Sequence, residues 1–201
     1  MAATLPAGLG ASRPAGLPRF RARIQHAPRL ASWHRGCPVR RSALRLLRLR
    51  YVGFDGRAHR GKLVVARRWA RPVVRVFRKL YAARFPIRRL KLVEAYGSND
   101  DRVDLADDTS GFNCRYVGGT HVWSEHAYGR AIDVDPLENP EISHGRVSNR
   151  RYRPYRNRSR RRPGMIHAGD VVVRAFASIG WRWGGSWHEP RDYQHFSATG
   201  R

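Results

Sequence analysis

The chain has only two cysteines, Cys37 and Cys114, among 201 residues. Two thiols so far apart in sequence cannot build a cysteine-based zinc finger. They either form one disulfide or stand as two buried thiols. Lysine is nearly missing: Lys62, Lys79 and Lys91 are the three, and arginine supplies the rest of the 40 basic residues. Acids number 15, which leaves a net charge of +25. That charge attracts polyanions such as nucleic acid, an acidic membrane surface or an anionic cell wall. No apolar run reaches the roughly 18 residues that a membrane-spanning helix needs. The opening stretch MAATLPAGLGASRPAGLPRFRARIQHAP has no charged start followed by a continuous apolar core, so it makes a poor secretory signal. Helix-turn-helix, zinc-finger and RNP-like motifs are also missing, which argues against a nucleic-acid partner despite the charge. A hydrophobic content of 41% excludes disorder of the whole chain.

The acids that are present cluster. Before Glu94 there is only Asp55, and between Glu94 and Glu141 there are eleven. A carboxylate-rich centre within a basic shell suits a cation site, although local charge balance accounts for most of these acids.

The pattern predicts a tail, one small domain and an α+β fold. Residues 1–35 are rich in Pro, Gly, Ala and Arg without periodicity and read as a disordered basic tail. Residues 36–201 form the domain. LRLRYVGFDG and KLVVA read as a hairpin that turns at Asp55-Gly56. Trp69, Val73, Val76, Phe77 and Leu80 recur at helical spacing, with Pro72 tolerated in a first turn. Residues 87–96 alternate like a strand, 97–110 read as a polar loop, and FNCRYV as a short strand. AIDVD is a strand with Asp133 and Asp135 on its polar side. Residues 145–163 carry nine arginines and no acid and read as a mobile loop. Asp170 caps a helix that Gly180 ends, and WRWGGSW and DYQHF close the chain as strand-like segments. The sum is a mainly antiparallel sheet flanked by helices, and a monomer is expected.

The chemistry concentrates in SEHAYGRAIDVDP and DYQHF. His126 and Asp133 are an odd number of residues apart, so an unbroken strand would put them on opposite faces. Gly129 permits a turn that lets both converge. Neutral imidazole and a strand-held carboxylate are good zinc ligands, and catalytic zinc takes three protein ligands with one open position. His195 is the third candidate, and Asp192 beside it suits a general acid/base. His121 and His188 are rival histidines that match no motif.

Together these residues resemble the zinc D,D-peptidases of peptidoglycan metabolism, the VanY-type D-alanyl-D-alanine carboxypeptidases, with L-alanyl-D-glutamate endopeptidases as relatives. The family pattern is Ser-x-His-x-x-Gly-x-Ala-x-Asp, then Asp or Glu-x-x-His. Ser124, His126, Gly129, Ala131, Asp133, Asp192 and His195 match every element. TSGFNCR resembles the family's arginine segment. The resemblance implies the small α+β fold shared with the hedgehog signalling domain and one Zn2+ on His126, Asp133 and His195. Asp192 would be the general acid/base, and Arg115 would bind the oxyanion or the substrate carboxylate. Ser124 would hold substrate, and Trp187 is a pocket candidate. It also implies a peptidoglycan stem-peptide substrate and a place at the cell wall, with anionic wall polymers drawn to the arginines. The nearest alternative is the endopeptidase activity. A non-catalytic basic protein that binds wall or nucleic acid is the alternative from another class.

Overall fold

The structure, a computed structural model, describes residues 16–200. Strands β1 (Ala22–His26), β2 (Leu44–Val52) and β3 (Ala58–Ala66) form one antiparallel sheet in that order. β2 alternates because one face must be apolar: Leu47 and Leu49 pair with Leu63 and Gly61 of β3 and enter the core. The β2–β3 hairpin turns at Asp55-Gly56 as its sequence predicts, with Gly56 at φ +71°.

Helix α1 (Arg67–Ala82) follows β3 directly. Ala70, Val73, Val76, Phe77 and Leu80 face the sheet, and the arginines between them face out. Pro72 is its sixth residue rather than part of the first turn, so the Arg68 carbonyl lacks its usual intrahelical donor.

Beyond α1 the pairing divides among small sheets. Strands β4 (Ala131–Asp133), β6 (Arg182–Trp183) and β8 (His195–Ser197) make one, in the order β4-β8-β6. Strands β5 (Glu141–Ile142) and β7 (Arg191–Asp192) make another. Helix α4 (Val171–Ala177) packs beside α1, its Asp170 cap accepting from Val172 N–H at 2.9 Å. Phe176 stacks on Phe196 of β8 with ring centroids 4.1 Å apart, joining the helical layer to the site-bearing sheet.

Four expectations are corrected. The predicted tail contains β1, held by five register pairs with β2, because β2 presents an otherwise open edge; residues 1–15 lie outside the described residues. Residues 87–96 are not a strand. Their backbone is irregular and ends in a 3-10 turn at Val93–Tyr96, and Asp108 accepts from the Lys91 N–H instead of a partner strand. FNCRYV forms a single bridge, Tyr116 with Trp123, because its other N–H groups go to scattered carbonyls such as Val64 and His126. The arginine-rich segment 145–163 is pinned, with a short helix α3 (Arg153–Arg156) and a buried Tyr152. Arg158 clamps it: the guanidinium donates to the carbonyls of Glu138 (2.8 Å) and Ile166 (2.7 Å) and lies over the Tyr193 ring. Burial pushes its pKa down to about 10, so it stays charged at neutral pH.

Cys37 and Cys114 form a disulfide that ties the segment after β1 to the residue before Arg115. Among the described residues, no helix is long and apolar enough to cross a membrane.

Candidate metal centre

His126 sits on a 3-10 turn, Glu125–Tyr128, between β3 and β4. Ser124 caps this turn by accepting from the His126 N–H at 3.3 Å. Gly129 ends it at φ +62°, and a Cβ there would meet the Ala66 nitrogen at 2.7 Å. Only glycine allows both the left-handed turn and the close approach to β3. The turn aims the His126 ring back toward β4.

Asp133 and His195 arrive by a different route. They are register partners across β4 and β8, and residues directly opposite in an antiparallel pair project from the same face. His195 Nδ1 lies 2.9 Å from Asp133 Oδ1, and His126 Nε2 lies 3.0 Å from Asp133 Oδ2. One atom from each of the three residues falls within 4.8 Å of the others, and all three side chains are buried.

The donor set fits a metal cation. His126 Nδ1 must carry its hydrogen, because its partner at 2.7 Å is the Gly111 carbonyl, which only accepts. In the neutral ring that leaves Nε2 with a bare lone pair. Nε2 is buried, makes no hydrogen bond and faces a carboxylate oxygen. Two lone pairs set 3.0 Å apart in a dry site repel, so a cation must lie between them: a proton on Nε2 or a metal ion in its place. The Gly111 carbonyl is the kind of outer partner that fixes a ligating imidazole. Burial alone would depress His126, but the Asp133 carboxylate outweighs it and raises the pKa. Although burial opposes ionisation of Asp133, the two histidines hold its carboxyl well below the usual range.

Asp192 ends β7, three residues before His195. Its Oδ1 is buried without a hydrogen-bond partner. Burial, reinforced by the Asp133 carboxylate, pushes its pKa well up. Gly184 makes room for this turn, since a Cβ there would meet the Asp192 carbonyl at 2.6 Å. Trp187 lies against His195 with centroids 5.4 Å apart, its indole N–H donating to the Gly200 carbonyl at 2.8 Å, so it forms a fixed wall.

Arg115 is half-buried and ion-paired with Asp100. Its carbonyl accepts from the Ser124 N–H at 3.1 Å, which sets it beside the turn that carries His126. Asp100 in turn accepts from Asn113 Nδ2 at 3.2 Å. Ser124, in contrast, spends its hydroxyl on the cap. His121 is exposed and packs edge-on against Tyr116, and His188 is exposed; neither joins the cluster. Asp135 belongs to a separate buried network, accepting from Arg88 N–H and the Thr109 hydroxyl.

Sequence reasoning missed several residues near the centre. Asp100 and Asp104 come from helix α2 (Asp100–Leu105), which the sequence presents as a polar loop. Asn99 followed by two acids is a helix-start signal that could have revealed it. Burial together with the Asp100 carboxylate raises the Asp104 pKa well above the usual value. Glu141 is the register partner of Asp192, and desolvation and the Asp133 carboxylate raise it. No spacing rule links Glu141 to the motif.

Residues 117–198 match the family model described as D-alanyl-D-alanine carboxypeptidase. The match supports a VanY-type metallopeptidase. The matched span contains His126, Asp133, Asp192 and His195, and Arg115 lies two residues before it. No curated protein and no solved structure matches the chain.

Proposed function

We propose that the chain is a zinc-dependent carboxypeptidase that removes the terminal D-alanine from peptidoglycan stem peptides. The observation that carries this reading is the buried convergence of His126 Nε2 and His195 Nδ1 on the two oxygens of Asp133, with Asp192 Oδ1 buried without a hydrogen-bond partner. His126, Asp133 and His195 would hold the ion. Two imidazoles and one carboxylate with an open position are a common set for catalytic zinc. Zinc bound there supplies a Lewis acid for the scissile carbonyl and lowers the pKa of water.

The rest falls to the chain's own groups. Asp192 accepts the proton of the attacking water and returns it to the departing amine. Its Oδ1 is buried without a hydrogen-bond partner, so it is free to take up and return that proton. Arg115 offers a permanently charged fork to a substrate carboxylate or to charge developing on the carbonyl oxygen. Asp100 holds that fork in place until substrate arrives. Trp187 walls the side of the centre next to His195. The disulfide agrees with a protein working in an oxidising compartment, as wall substrates require.

The test is incubation of zinc-loaded protein with a pentapeptide stem, followed by mass spectrometry. Loss of one alanine supports the proposal. Loss of both alanines, or cleavage after L-alanine, replaces it with dipeptidase or endopeptidase activity. Firm zinc binding without turnover of any stem would make the chain a binding module.

A further inference from the structure

The solvent face of the β1-β2-β3 sheet concentrates charge of one sign. An open groove of about 530 Å³ crosses it. The register sets Arg23, Arg48 and Lys62 side by side in one row across the three strands. Two residues along, Arg50 opposes Arg60, and the Arg50 N–H donates to the Arg21 carbonyl at 3.0 Å, which extends a second row to β1. Alternate residues share a face, so the rows stand about 6.6–6.8 Å apart on strands about 4.8 Å apart.

No acid lines this groove, and none of the six cations forms an ion pair with any described residue. Their polar side-chain contacts are neutral: Arg48 Nε donates to Gln25 Oε1 at 2.9 Å, and Arg50 to the Arg19 carbonyl at 2.8 Å. Like charges directly opposite across strands destabilise a sheet. Packing does not require them, because the core is filled from the other face by Leu47, Leu49, Leu63 and Val65. Six uncompensated cations in two regular rows need a multivalent anion.

We propose that this face binds a linear base-free polyphosphodiester, of the poly(glycerol phosphate) kind. Arginine forks match phosphate oxygens, and the row spacing is one that a three-carbon diester linker can bridge. The lining holds no aromatic ring, so bases of a single-stranded nucleic acid would find nothing to stack on. The groove shares no residue with His126, Asp133, Asp192, His195 or Arg115, so this site is independent of the proposed hydrolysis. It would keep the protein on a phosphate-bearing matrix while the peptide site stays free.

The experiment measures binding of the full chain to end-labelled poly(glycerol phosphate) as salt is raised. With six contacts at roughly 0.7 each, log K should fall against log salt with a slope of about −4. The Arg48→Gln/Arg50→Gln double variant should lower that slope to about −3 and weaken binding about tenfold or more near 0.1 M salt. Its turnover of the pentapeptide should not change, and its denaturation midpoint should hold or rise as repulsion is relieved. An Arg150→Gln/Arg153→Gln variant, equal in charge, should bind within about twofold of the original chain. Equal loss in both variants would reduce the effect to net charge and overturn the proposal. So would no binding, or a clear preference for single-stranded or duplex DNA of equal phosphate number.

Discussion

Gly129→Ala should damage the fold and the candidate metal centre together, although Gly129 carries no functional group. At φ +62° an alanine costs about 1–2 kcal/mol relative to glycine. Its Cβ would press on the Ala66 nitrogen at 2.7 Å and on a Leu44 methyl at 3.2 Å. The first of these is backbone of β3 and cannot rotate away. Relieving the clash separates Ala66 N–H from the Gly129 carbonyl, now 2.8 Å apart, at a cost of about 1 kcal/mol. The total is about 2–3 kcal/mol, roughly 30- to 160-fold in the folding equilibrium. His126 precedes Gly129 by three residues on the same turn, so its ring moves away from Asp133. Zinc affinity should then drop by about tenfold or more. Urea denaturation and competition with a chromogenic chelator measure the two effects. Gly118→Ala is the control: nothing lies within 4 Å of its Cβ position, so both readouts should stay put. An alanine at 129 that leaves both the midpoint and the zinc affinity unchanged would refute the reasoning.

Other substitutions separate metal binding from catalysis and from stability. Asp192→Asn should cut kcat by about 10²–10⁴-fold while bound zinc, read by atomic absorption, stays near one equivalent; Asp133→Asn should lose the metal itself. Replacing Cys37 and Cys114 together by serine opens a crosslink 77 residues apart in sequence, worth up to about 4.5 kcal/mol by loop entropy. A denaturation midpoint unchanged by reduction would contradict that. Burial pushes both Asp108 and Glu138 up to about 7. The folded state therefore holds protons that the unfolded chain releases near pH 4. Stability present below that pH is lost as pH rises toward 7, by at most about 1.4 kcal/mol per unit for each group. Asp108→Asn should flatten the pH 5–7 part of the denaturation profile measured in chelator, and an unaltered slope would sink this reading.

Much of the site was legible because its information is local. His126, Gly129 and Asp133 lie on one turn and one strand, and the alternation of AIDVD announces which side Asp133 takes. The helix α1 stripe and the Asp170 cap are equally short-range signals. The apparent strand at 87–96 misled because alternation describes burial on one side, which an irregular segment leaning on Val52 and Asp108 can satisfy without a ladder. The arginine-rich run read as mobile because composition cannot show one buried guanidinium finding several carbonyls and a ring, as Arg158 does.

What the amino-acid order determined alone is the set of chemical types: a basic chain, an α+β pattern, and a His, an Asp and a second His with a spare carboxylate. Only the tertiary structure decided that β4 and β8 pair in the register that sets Asp133 against His195. It alone showed that Asp100 holds Arg115 and that six cations align on an open sheet face. The reason is physical. Residue type and spacing along the backbone are covalent facts, whereas register, ion pairing and the meeting of distant side chains depend on which surfaces bury one another when the chain folds.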